Sequence, residues 1–202
     1  MIIRNEKDSI TNGIIGGASE GVGKFYKLGS EFETQTAFAV GGTTNTFIEN
    51  GKKYRCHTFK SPDNIVFPKA GSVEFLVVGG GGGGGNSYPA TSPRASGGGA
   101  GGYRTGNCKG YEVCKSSLPV TVGSGGASTP GGNSSFLSIV SAGGGRGASY
   151  PSQAGQPGGS GGGGTWKGGA GGAGNTPPVS PPQGNPGGTA PSGDPTDGSG
   201  GG

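Results

Sequence analysis

Cys56, His57, Cys108 and Cys114 carry the strongest metal-ligating and nucleophilic side chains in this sequence, and His57 is its only histidine. Their spacing builds no metal site. Cys108 and Cys114 are separated by five residues with no second pair, whereas a closed zinc site needs four ligands. The two cysteines are either free thiols or, in an oxidising medium, a bridge closing the loop Lys109-Gly-Tyr-Glu-Val113. His57 lies within a segment of strand character, where a structural role outweighs general-base chemistry. Gly79, Gly81 and Gly84 satisfy a G-x-G-x-x-G pattern, but a run of seven glycines does so trivially. The helix that should follow is excluded by Pro89 and Pro93. Gly21-Val-Gly-Lys24 fails as a phosphate loop, with Ala18 where a glycine is needed and Phe25 where Ser or Thr should stand. Arg104 and Arg146 are isolated, so no Arg-Gly-Gly repeat marks a single-strand binder. These residues point to a non-enzymatic protein with no cofactor, no metal and no nucleic-acid partner.

A different chemistry is available to the aromatic residues. Tyr88, Tyr103, Tyr111, Tyr150 and Trp166 sit in or beside polar connectors. Three of them have a cation close by in sequence: Tyr103 beside Arg104, Trp166 beside Lys167, and Tyr88 in the same connector as Arg94. Aromatic faces with cations at their edges suit stacking on sugars or contact with a protein surface, provided that something rigid holds them out. The competing reading is that they pack on one another or cover the edges of the fold.

The frame has to be built from unusual material. Of 202 residues, 53 are Gly and 15 are Pro, and only 28% are hydrophobic, too few for a conventional core of this size. The net charge is +4, too small for the disordered class and without a basic run for nucleic acid or an anionic membrane. No apolar stretch approaches the length of a membrane span, and the amino terminus lacks the apolar core of a secretion signal. Synthesis in the cytosol without membrane insertion is expected.

Glycine divides the chain unevenly: residues 1–78 hold ten and the remainder holds the rest, which sets a boundary at Val78-Gly79. Before it, residues 44–48 and 54–59 are β-branched and aromatic and flank Asn50-Gly51, a pair suited to a tight hairpin. Residues 65–67 and 73–78 read as two more strands joined by a turn at Pro68-Lys-Ala-Gly71, giving a small antiparallel meander. Beyond it, glycine tracts at 79–85, 97–102, 143–147, 158–164, 168–174 and 198–202 alternate with connectors rich in Ser, Thr, Pro and Asn. Residues 118–122 and 135–140 each read as one short strand.

Glycine tracts usually mean flexible linkers. Ordering a residue costs about 1–2 kcal/mol, and glycine has no side chain to bury in return. In an extended threefold helix of the polyproline II type, however, each glycine can donate one N–H···O bond worth about 0.5–1.5 kcal/mol, and rods without Cβ atoms can approach closely. The two terms are comparable, so a lone tract should be floppy whereas several packed side by side can be rigid. The expected fold is therefore mostly irregular with minor β: a small antiparallel β region followed by a packed slab of polyglycine II helices with loops at its ends.

Six features follow one another along the chain: Tyr54-Arg-Cys-His-Thr-Phe59; Gly71-Ser-Val-Glu-Phe-Leu-Val-Val-Gly79 leading into polyglycine; Gly97-Gly-Gly-Ala-Gly-Gly-Tyr103; Val120-Thr-Val-Gly-Ser-Gly-Gly126; Asn133-Ser-Ser-Phe136; and Gln183-Gly-Asn-Pro-Gly-Gly188. In this order the chain resembles the glycine-rich domain of bacteriophage tail-fibre and tail-tip adhesin proteins, over residues 38–202. In tip adhesins of T-even-like phages a related domain is a polyglycine II sandwich whose end loops contact the host receptor. The resemblance implies a virion component, made in the host cytoplasm and extracellular after lysis. Its slab would display loops to a host surface glycan or outer-membrane protein.

The expected organisation is residues 1–37 as a virion-attachment segment that contacts other virion proteins, 38–78 as the β meander and 79–202 as the glycine-rich domain. A homo-oligomer is compatible with this, although no heptad repeat specifies one. Tyr88, Arg94, Tyr150 and Trp166 are the candidate receptor contacts. The rival readings are a capsid or tail decoration protein in which the slab is a passive stalk, and an ice-binding or matrix protein. The scattered threonines speak against ice binding.

Overall fold

The computed structural model describes residues 1–6, 39–50, 52–86, 95–150, 154–192 and 198–202. Strand β1 (Ile2–Glu6) pairs antiparallel on one side with β3 (Lys52–Thr58) and on the other with β5 (Gly71–Val78). With β2 (Thr43–Glu49) beside β3 and β6 (Tyr103–Val113) beside β5, these form a five-stranded sheet in the order β2-β3-β1-β5-β6. The second sheet is β4-β7-β8-β9, from β4 (Asp63–Phe67), β7 (Ser116–Thr121), β8 (Ser134–Phe136) and β9 (Ile139–Ser141).

Alternation decides what lies between the sheets. Val73, Phe75 and Val77 of β5 point inward with Ile3, facing Ile65 and Phe67 of β4, Val120 of β7 and Phe136 of β8. Phe75 and Phe136 meet edge to face across the sandwich, with centroids 5.3 Å apart. His57 also lies on the buried side, level with Ile3, and is fully buried. Its Nδ1 is 2.8 Å from the Gly41 carbonyl oxygen, which can only accept, so Nδ1 carries the proton.

The β2–β3 hairpin forms about Asn50, whose φ of 51° is the left-handed conformation that a two-residue turn requires. Three expectations need correction. Residues 65–67 and 73–78 are strands, but of opposite sheets: an inward-facing alternation is the same whether two strands pair or face each other, and here the Pro68 turn carries the chain across the core. Residues 135–140 are not one strand but the hairpin β8–β9, reversed at Leu137, whose φ is 54°. Residues 2–6 lie in the middle of the larger sheet, so at least this part of 1–37 belongs to the β body. Strand β6, within a stretch that shows no alternation, was not expected at all.

The glycine tracts are rods, and their hydrogen bonds show a threefold helix. In rod 79–85, the amides of Gly79, Gly82 and Gly85 donate to the carbonyls of Gly102, Gly99 and Ser96 at 2.8–2.9 Å, while those of Gly80 and Gly83 donate to Gly132 and Thr129. Every third residue therefore addresses the same neighbour. Rod 160–164 is completely enclosed: Ser160 and Gly163 donate to Ala100 and Gly97, Gly161 and Gly164 to Asn185 and Gly188, and Gly162 to Gln156. Residues 158–165 are all buried.

The pairings define three layers. Rods 123–126, 79–85, 96–102 and 198–202 make one face. Rods 129–132, 142–148, 160–164 and 185–190 lie in the middle, and 155–158 and 169–173 make the other face. A methyl on Gly144 would run into the Gly99 carbonyl oxygen, and one on Gly161 into that of Gly172. Where the tracts are interrupted, Ala100, Ala170 and Ala173 sit at exposed positions, the latter two one turn apart. The core of this slab is backbone.

Candidate functional site

The antiparallel and parallel registers place every chain reversal at one of two ends. Five rods run directly out of or into strands of the sandwich, through Val78-Gly79, Gly102-Tyr103, Thr121 to Gly123, Gly132 to Ser134 and Ser141-Ala142. The reversals remote from the sheets are those after Gly85, Gly126, Ala148, Gly164 and Ala190.

At the sandwich end, residues 174–183 fold over the junction. Asn175 Oδ1 accepts from the amides of Val179 (3.1 Å) and Gln183 (3.2 Å). The buried Gln183 side chain accepts from the Ala142 amide at 2.8 Å and donates to the Pro177 carbonyl at 2.9 Å, while its backbone carbonyl accepts from the Tyr103 amide. Gln183 thus joins the two central elements at the point where strands become rods.

The remote end holds the aromatic candidates. Tyr150 and Trp166 are brought together edge to face, with centroids 5.3 Å apart, and the Lys167 ammonium lies 4.7 Å from the centre of the indole. The turn that presents them is left-handed at three consecutive residues: φ is 55° at Trp166, 47° at Lys167 and 79° at Gly168. The Gly169 amide closes it on the Trp166 carbonyl (3.0 Å), and the Gly168 amide reaches Pro191 of the next reversal (3.2 Å). Left-handed backbone costs a residue with a side chain roughly 1–2 kcal/mol. Two such residues in succession, one of them tryptophan, are a strain that the local contacts must hold.

A polar network ties the roots of the other remote loops together. Ser149 Oγ accepts from the Asn86 amide (2.7 Å) and from the Arg146 guanidinium, and Asn86 Oδ1 accepts from Ser128 Oγ (2.6 Å). Ala95 forms a β-bridge with Ser149. Tyr88 and Arg94 lie outside the described residues, but their segment leaves at Asn86 and returns at Ala95, both next to Ser149 and hence beside Tyr150. Arg146 was not among the candidates. Its signal in the sequence is that it is the one charged residue inside a glycine tract, Gly143-Gly-Gly-Arg-Gly147.

Cys114 is exposed, and the side chain of Cys108, its candidate partner, lies outside the described residues. His57 is pushed towards the neutral form by burial, with the Gly41 hydrogen bond acting in the opposite direction. Among the described residues no cluster of His, Cys, Asp and Glu has the geometry of a metal site, and no helix is long and apolar enough to cross a membrane.

The architecture is that of a β-sandwich extended by a lattice of glycine rods, with Arg146, Tyr150, Trp166 and Lys167 at the end remote from the sheets. The chain belongs to a glycine-rich domain family, whose model matches residues 58–202. That match takes in β4 to β9 together with all the rods, so the family unit starts before the first glycine tract. No curated protein and no solved structure matches the chain.

Proposed function

We propose that the chain is a bacteriophage virion structural protein, a tail fibre or tail-tip adhesin, whose glycine-rich slab holds loops against the surface of the host cell. The observation that carries this reading is the Tyr150–Trp166–Lys167 cluster, held on a strained turn at the end of the slab away from the sheets. A lattice with a backbone core is stiff, yet its end loops contribute little to it. They can therefore differ in sequence without loss of the frame, which suits a surface that must follow a changing receptor. The ordered motifs shared with phage fibre domains support the virion context. The partner would be a surface glycan or an outer-membrane protein, with Tyr150 and Trp166 as contacts together with the segment carrying Tyr88 and Arg94.

The test is competition. Purified protein added to host cells should reduce adsorption of the phage that encodes it, and Trp166→Ala should compete less well while remaining folded. Failure of the wild-type protein to compete would favour the decoration or stalk reading instead.

A further inference from the structure

The two broad faces of the slab differ in a way that the internal packing does not require. On the face made by rods 155–158 and 169–173, exposed positions carry side chains: Gln156, Pro157, Ala170 and Ala173. On the opposite face, Gly81, Gly84, Gly125 and Gly200 are exposed and remain glycine. A Cβ added at Gly81 would meet only the Gly99 oxygen at 3.9 Å, one at Gly125 only the Gly81 oxygen at 3.8 Å, and one at Gly200 nothing within 4 Å. Gly81, Gly125 and Gly200 are therefore not needed by the fold of a single copy, whereas a Cβ on Gly84 would press on the Ser96 carbonyl oxygen at 3.3 Å.

The same face carries unused backbone groups in register. The amides of Gly81 and Gly84, one helical turn apart, donate to no group among the described residues, and in the adjacent rod neither the amides nor the carbonyls of Gly98 and Gly101 are bonded. Rods 79–85 and 96–102 continue into Val78 and Tyr103, a cross-strand pair that is 41% and 57% exposed. The result, among the described residues, is a nearly flat patch with paired rows of donors and acceptors, relieved by the small side chains of Ala100 and Ser124 and flanked by an aromatic ring.

We infer that this face docks against the same face of a second copy, extending the glycine lattice across a twofold interface. A free glycine-rich peptide would have to be ordered at about 1–2 kcal/mol per residue, which cancels the bonds that it gains. A second slab brings rods that are already ordered. Because the patch carries both donors and acceptors, it is self-complementary under a twofold axis. Rods about 5 Å apart and roughly seven residues long give a face on the order of 400 Å² per copy, and somewhat more with Val78 and Tyr103. The total of about 800 Å² falls below the range of stable specific interfaces and implies a weak, reversible dimer.

Sedimentation of the whole chain from micromolar to millimolar concentration tests this. The expected result is a concentration-dependent dimer in which the amides of Gly81, Gly84, Gly98 and Gly101 become protected as it forms. Gly81→Gln with Tyr103→Ser should weaken dimerisation by roughly tenfold or more at unchanged melting temperature, whereas Ala170→Gln on the other face should have no effect. A monomer at every concentration would overturn the inference, as would a dimer indifferent to the first pair of substitutions or equally sensitive to Ala170→Gln. Binding of a labelled glycine-rich peptide to a protein that stays monomeric would also overturn it.

Discussion

Gly81 and Gly82 are adjacent in one tract and share the same chemistry, yet a methyl group on Gly81 would enter open space while one on Gly82 would collide with the Gly145 carbonyl oxygen. The difference follows from the threefold helix, which turns successive residues towards solvent and towards a neighbouring rod. Gly82→Ala should therefore destabilise the protein by about 1–3 kcal/mol or more, since backbone can yield less than a side chain. Gly81→Ala should be neutral or stabilising by up to about 1 kcal/mol through the entropy of the unfolded chain. Thermal denaturation of the two variants decides the point, and similar melting temperatures would contradict this packing.

At the remote turn, the strain and the proposed contact are separable. Lys167→Gly removes a side chain from a left-handed position and should raise stability by up to about 1 kcal/mol. It should nevertheless reduce competition for host adsorption, because the cation over the indole is lost. A variant that is less stable, or one that competes as well as wild type, would count against the role given to Lys167.

Gln183 is a polar residue doing the work of a core residue. Gln183→Leu keeps the volume but leaves the Ala142 amide without its acceptor in a buried setting, at a cost of about 1–3 kcal/mol. Hydrogen exchange at Ala142 should accelerate well before exchange at the remote end changes. An unaltered Ala142 amide would show that this bond is not needed at the junction.

His57 makes stability depend on pH. Burial lowers its pKa in the folded protein below the ordinary value of about 6.5, so the unfolded chain binds the proton first as pH falls. Its effect is nil well above about pH 6.5, and stability drops as pH falls below that towards the lowered folded-state pKa. His57→Gln should flatten the slope of melting temperature below about pH 6.5, read against the wild type under the same buffers. An unchanged slope would mean that other groups titrate there.

Several elements were legible before the structure. Asn50-Gly51 announced its hairpin because few residues accept the backbone that such a turn needs. The inward alternation of Val73, Phe75 and Val77 marked β5. The rods followed from weighing glycine's ordering cost against its hydrogen bonds. Other features left no local trace. In β6, Gly106, Asn107 and Gly110 break any alternation, and the strand exists because β5 offers it an edge. Leu137 adopts a left-handed turn that no leucine advertises. Which sheet β4 joins is a long-range matter, settled by Ile65 pairing with Leu118. At the candidate site, Tyr150 and Trp166 were visible as aromatic residues in connectors, but their meeting depends on rod register, which a uniform glycine tract does not encode.

The central claim is that glycine amides, bonded in a period of three, make a rigid frame. Residue-resolved hydrogen exchange of the whole chain at dilute concentration tests it most directly. In tract 79–85 the amides of Gly79, Gly80, Gly82, Gly83 and Gly85 should be protected while those of Gly81 and Gly84 exchange rapidly, and the amides of rod 160–164 should be the slowest of all the tracts. Rapid, uniform exchange along these tracts would contradict the account.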